Sequence, residues 1–219
     1  VPVPAVQIAP DGRKTVIEMA VPQSVAVFGQ GGVLRKDPDF IGAFVLNYIF
    51  GGGGFNSRLM EQVREKRGLA YSVSTYLSPY DRGGVLAGSV ATKNDAIDKS
   101  LDVIRAEFKR MAEEGPSEKE LIDAKSYLTG SYPLRFDTSP KIASQLLGIQ
   151  VEDLGIDYVD KRNAQIEALT LAEIRAIAKR LLKPDGLIIT VVGQPTSAAA
   201  QPKAPEPAAA QGAKPAGKG

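Results

Sequence analysis

Two side chains have the types and spacing to aim hydrogen-bond donors at one point: Arg64 and Tyr71, on either side of Gly68 in the stretch REKRGLAY. Glycine is the usual stop of a helix. If a short charged helix runs from about Asn56 to Arg67, Gly68 ends it and reverses the chain, and a strand starts near Tyr71. A guanidinium and a phenol then point into one space. Both donate hydrogen bonds, and together they suit a peptide carbonyl or the oxyanion that develops from it. A plainer reading is also open. A cation in the last helical turn complements the helix dipole, and Glu61, Glu65 and Lys66 make an ordinary charged face. A strand tyrosine commonly packs half its ring with its hydroxyl at the surface. The stretch supplies no base and no nucleophile, so the pair can only position a substrate or stabilise charge.

Just upstream stands the glycine run Gly51 to Gly54. Glycine-rich loops can hold phosphate at a helix N-terminus. Here the preceding element reads as a helix instead of a strand, and neither Gly-Lys-Ser/Thr nor G-x-G-x-x-G is present. Two readings remain. The run is a connection between helices, or Gly52, Gly53 and Gly54 form a loop whose bare backbone lets a peptide or partner approach closely.

The chain contains neither histidine nor cysteine. A tetrahedral zinc site of the common kinds cannot be built from it, nor can a Ser-His-Asp triad, a thiolate nucleophile or a disulfide. Carboxylates alone can hold magnesium or calcium, but no clustered D-x-D or EF-hand spacing occurs, so no metal ligand is assigned. The 219 residues are 43% hydrophobic and 24% charged, an ordinary globular balance for one large domain or two small ones. The net charge of +2 is accounted for by Lys203, Lys214, Lys218 and Glu206 in the tail. The neutral body lacks the basic surplus of nucleic-acid binders. No apolar run approaches the roughly 18 residues of a membrane span. The opening VPVPAV shows no targeting signal and suits a mature product, a processed piece or a shortened one.

The elements that must position Arg64 and Tyr71 can be read from periodicity. Residues 1–13 are an extended lead-in or linker. Residues 14–21 and 24–29 read as strands. A helix opens at Asp37-Pro38, with Phe40, Ile41, Phe44, Val45 and Tyr48 at helical spacing, and the glycine run ends it. Residues 70–77 and 84–92 read as an antiparallel hairpin joined by SPYDRGG. Asn94 is placed as an N-cap for a helix carrying Ile97, Leu101, Ile104, Phe108 and Met111. Ser117 with Glu120, and Thr170 with Glu173, form capping boxes for two further helices. Residues 138–150 and 158–169 read as helices. The apolar run 187–193 reads as an inner strand of the sheet. Residues 194–219 hold no large aliphatic or aromatic residue and are expected to be a disordered tail. The expected fold class is α+β, a largely antiparallel sheet with helices on one face, in one domain spanning 14–193.

On SRLMEQVREKRGLAYSV (57–73), on YLTGSYPLRFDTSPKIASQLLGIQ (127–150) and on the closing strand before Gly193-Gln194-Pro195, the sequence resembles the pitrilysin/insulinase family of zinc metallopeptidases, the inverzincins with an H-x-x-E-H signature. The resemblance runs from about Val16 to Gly193 and is to the C-terminal-type domain that lacks zinc. It implies that Arg64 and Tyr71 bind the substrate peptide near a zinc ion held by another domain or subunit. The family's ligands are two histidines and a glutamate, so this chain cannot be the zinc half. By the same resemblance the isolated chain is inactive, the zinc sits on an H-x-x-E-H partner, the ligand is an extended peptide, and the location is the periplasm. Neither nucleic acid nor membrane is expected as a partner. The alternative is a catalytically inert scaffold or interaction domain of the same fold, as in the core proteins of respiratory complexes.

Overall fold

Strands β1 (Lys14–Glu18) and β2 (Gln23–Gly31) open the chain, and β3 (Ser72–Pro79), β4 (Gly84–Lys93) and β5 (Ile188–Gly193) complete one sheet in the order β1-β5-β2-β4-β3. The computed structural model describes residues 4, 6 and 8–195. The expected tail falls outside the described residues from 196 onward, as do residues 1–3, 5 and 7 of the lead-in. Only β1 and β5 pair in parallel; every other pair is antiparallel. The last described strand, β5, inserts between β1 and β2, which explains its nearly unbroken apolar sequence, since an inner strand has neighbours on both edges.

The two faces of the sheet differ. On β2, Ala26 and Phe28 are buried while Val25 and Val27 are exposed, an alternation with the period of a strand. The buried face is covered by α1 (Phe40–Asn47) and α2 (Ile97–Glu114), and α6 (Leu171–Leu181) packs against both. Between α2 and α6 come α3 (Glu118–Gly130), α4 (Ser139–Val151) and α5 (Tyr158–Ala168). Helix α2 buries Ile97, Leu101, Ile104, Phe108 and Met111, the stripe that its spacing predicts. Phe108 is the centre of the core. Its ring meets Phe50 edge-on at 4.6 Å and Phe28 at 6.0 Å, geometries that aromatic quadrupoles favour. No helix among the described residues covers the opposite sheet face, which carries Ile17, Val25, Val27 and Tyr76, all exposed. The expected α+β class with helices on one face is borne out.

Local differences have physical causes. Asn94 does not cap α2, whose N-cap is Ala96. Its side chain instead accepts from the Ser24 hydroxyl at 2.6 Å and donates to the Val21 carbonyl at 3.0 Å. Those two bonds tie the end of the hairpin to the start of β2, a tertiary use that a capping residue type does not reveal. Helix α1 starts at Phe40, two residues after Pro38. Nor does the glycine run simply end that helix, which continues in π geometry over Tyr48–Gly52.

Candidate substrate-binding site

The site is built outward from the glycine run, whose packing against β3 sets the position of the charged helix and of Phe55. Gly51 is buried against β3: a Cβ there would come within 2.4 Å of Thr75 Oγ1 and 2.9 Å of the Thr75 nitrogen. No other residue allows so close an approach without a shift. Asn47 closes the same contact, accepting from the Thr75 hydroxyl at 2.8 Å and donating to the Thr75 carbonyl at 3.4 Å. These bonds, with the Val73 N–H to Met60 Sδ contact at 3.4 Å, cover the outer edge of β3 at residues 73 and 75. Gly52 and Gly53 lie against Asn47 and Tyr48. A short 3-10 turn, Gly54–Asn56, then presents Phe55 outward, 61% exposed.

The charged helix comes next as expected, though shorter in extent and wider in its turn. Residues 58 and 59 are α-helical and Met60–Glu65 continue as a π-helix. The extra residue per turn is a feature often found at functional sites. The helix is anchored by a residue that sequence reading passed over. Arg58 donates to both oxygens of Glu120, at 2.9 and 2.6 Å, and to the Gly115 carbonyl at 3.3 Å. Glu120 is also the capping-box residue of α3, accepting from the Ser117 N–H at 2.7 Å. Burial works to raise the Glu120 pKa, but the Arg58 and Ser117 hydrogen bonds outweigh it and hold the carboxyl below its usual range.

Gly68 stops this helix with φ +58, the left-handed conformation that glycine tolerates. Its N–H donates to the Arg64 carbonyl at 2.8 Å, and the Leu69 N–H to the Val63 carbonyl at 2.9 Å. The Thr92 hydroxyl on β4 donates to the Leu69 carbonyl, which fixes the approach to Tyr71, one residue before β3.

The two expected side chains meet. The Arg64 guanidinium carbon lies 4.8 Å from the Tyr71 ring centroid and 4.5 Å from that of Phe55. Tyr71 is 76% exposed. Among the described residues Arg64 enters no ion pair and no side-chain hydrogen bond, so its donors are uncommitted there. Phe55 is the member that sequence reading missed; an aromatic at the exit of a glycine run was the available signal. Of the run itself, only Gly54 adjoins this group, through Phe55. Among the described residues no group of three or more His, Cys, Asp or Glu is arranged to hold a metal, and no helix is long and apolar enough to cross a membrane.

The family description "Peptidase M16 inactive domain" matches residues 2–128. The chain belongs to the M16 peptidase family, as an inactive-type domain. This bears out the resemblance to a pitrilysin/insulinase-type domain without zinc. An uncharacterized zinc protease of Streptomyces coelicolor is 30% identical over 78% of this chain and 37% of its own length. The non-peptidase homolog YmxG of Helicobacter pylori is 32% identical over 64% of this chain and 33% of its own. The crystal structure of a peptidase M16 inactive domain from Pseudomonas fluorescens is 32% identical, with a TM-score of 0.77, covering 84% of this chain and 43% of that one. The M16 chain thus spans about a third of the length of these curated relatives.

Proposed function

We propose that this M16 domain is the substrate-binding, non-zinc half of a zinc metalloendopeptidase. The observation that carries the reading is the uncommitted Arg64 guanidinium held between Tyr71 and Phe55. A guanidinium with free N–H donors and an exposed phenol can bind a peptide carbonyl and strengthen their hold as negative charge develops on its oxygen. The loop of Gly52, Gly53 and Gly54 lets the backbone of an extended peptide run alongside. An H-x-x-E-H domain or subunit would hold the zinc, which when bound would supply the Lewis acid that activates water. This chain offers no histidine for that role, and its part is to bind, orient and donate. The sheet face on which Ile17, Val25 and Val27 are exposed among the described residues suits a domain that is one piece of a larger assembly. By family resemblance the assembly works in the periplasm.

The test is reconstitution. The chain alone should neither retain zinc nor cleave peptides, and mixing it with an H-x-x-E-H partner of the family should give chelator-sensitive cleavage. Cleavage by the partner alone at the same rate would overturn the reading.

One observation favours a second reading, an inert scaffold: a relative at 32% identity is named a non-peptidase homolog. A stable complex with the partner that never cleaves any peptide would favour the scaffold.

A further inference from the structure

A cavity of about 490 Å³ opens on the helical side of the sheet, between α1, α4, α5 and the middle of β3. It does not include Arg64 or Tyr71, and it touches the glycine run only at Gly52. Arg35, Arg135 and Arg162 line it, with Tyr132 and Tyr158.

Arg162 is only 5% exposed. One terminal nitrogen donates to the Leu128 carbonyl at 3.2 Å and to Asn163 Oδ1 at 2.8 Å. The guanidinium also lies 4.2 Å over the Tyr132 ring and 5.6 Å from that of Phe44. None of these partners is a carboxylate. Buried charges are ordinarily paired, and this one has no counter-ion among the described residues. Nor has Arg35, which stacks 4.1 Å over Phe40 and 5.2 Å over Tyr158. The acids of the neighbouring turns are committed to lysines: Asp137 to Lys141, Asp153 to Lys36 and Asp157 to Lys161. Glu152 lines the cavity too, but forms no ion pair with the arginines. The rest of the wall mixes the polar Asn47, Thr75, Ser144 and Gln145 with an apolar part that includes Ile41, Phe44, Leu77 and Ile149.

The geometry points to a binding site for an apolar monocarboxylate, its carboxyl on the Arg162 cluster and its body against Ile41, Leu77 and Ile149. The arginine fork matches a carboxylate in two parallel bonds, and the Tyr158 hydroxyl adds a donor. The volume lies within the range of small-molecule sites. Free phosphate would satisfy the cations but leave the aliphatic walls wet, so an apolar body is part of the recognition. A fatty acid and the C-terminal residue of a peptide share this chemistry.

Calorimetric titration of the full chain tests it, with octanoate, 1-octanol, inorganic phosphate and the dipeptide Ala-Phe as free acid and as amide. Octanoate should bind saturably, one per chain, and octanol and phosphate about tenfold or more weaker. Arg135→Gln and Arg35→Gln should each weaken octanoate several-fold with the melting temperature unchanged; Arg162→Gln should abolish it. If Arg162→Gln does not fold, the two rim variants decide. Tighter binding of the free-acid dipeptide than of octanoate, lost in the amide, identifies a peptide terminus as the source; the reverse order identifies a fatty acid. Octanol equal to octanoate, no saturable octanoate binding at millimolar concentration, or rim variants binding like wild type would overturn the site.

Discussion

The guanidinium carbon of Arg64 stands 4.8 Å over the ring centroid of Tyr71, although a helix end and a reversed turn separate the two in the chain. The contact splits the tyrosine into two parts, a ring that supports the cation and a hydroxyl that donates. Tyr71→Phe keeps the first and removes the second. In the reconstituted peptidase it should lower turnover about 10²-fold, the scale of one lost oxyanion donor. Arg64→Ala should cost at least as much. Normal turnover in both variants would refute the role of the pair.

Phe55 supports the other side of the same guanidinium at 4.5 Å and donates nothing. Its removal should misplace Arg64 without removing a donor. Exposed cation–π contacts contribute about 0.5–1 kcal/mol, so Phe55→Ala should reduce turnover roughly two- to fivefold. A loss as large as that of Arg64→Ala would mean that Phe55 itself holds the substrate.

Gly51 has no room for a side chain, with Thr75 Oγ1 2.4 Å from where a Cβ would be. Gly51→Ala should push the glycine run off β3 and destabilise the fold by about 1–3 kcal/mol, a drop of roughly 3–10 °C in melting temperature. Differential scanning calorimetry would check this; an unchanged melting temperature would show that the contact yields freely.

Arg58 and Glu120 form a pair whose side chains are 10% and 30% exposed. Arg58→Ala leaves Glu120 partly buried without its cation and should destabilise by about 1.5–3 kcal/mol in urea unfolding. The sign of the pH effect is set by the lowered carboxyl pKa. Glu120 stabilises the fold while ionised, above its ordinary value of 4.5, and this contribution is lost as pH falls through the depressed folded value. The stability gap between wild type and Arg58→Ala should therefore be full near neutral pH and close on acidification. A gap independent of pH would show that the pair acts through packing alone.

The capping boxes Ser117/Glu120 and Thr170/Glu173, the stripe of α2 and the stop at Gly68 were legible because each depends on residues within one or two turns of each other. The Arg58–Glu120 pair spans 62 residues, and no local pattern announces it. Asn94 shows the same limit from the other side. Its residue type suits a helix cap, but the nearest unsatisfied groups in space belong to Ser24 and Val21. The π geometry of Tyr48–Gly52 and Met60–Glu65 was also hidden, because packing against β3 sets the pitch there, not helix propensity.

By itself the sequence determined which chemistry this chain lacks. With neither histidine nor cysteine, it cannot supply the family's zinc ligands under any fold. It also determined that Arg64 and Tyr71 flank a helix stop, since glycine's freedom at positive φ is a local property. Only the tertiary structure decided that the guanidinium lies between Phe55 and Tyr71, that β5 enters the sheet between β1 and β2, and that Arg162 is buried with no anion beside it among the described residues. Those outcomes depend on which distant groups fill space and satisfy hydrogen bonds around each side chain, and such neighbours are not written in the order of the residues.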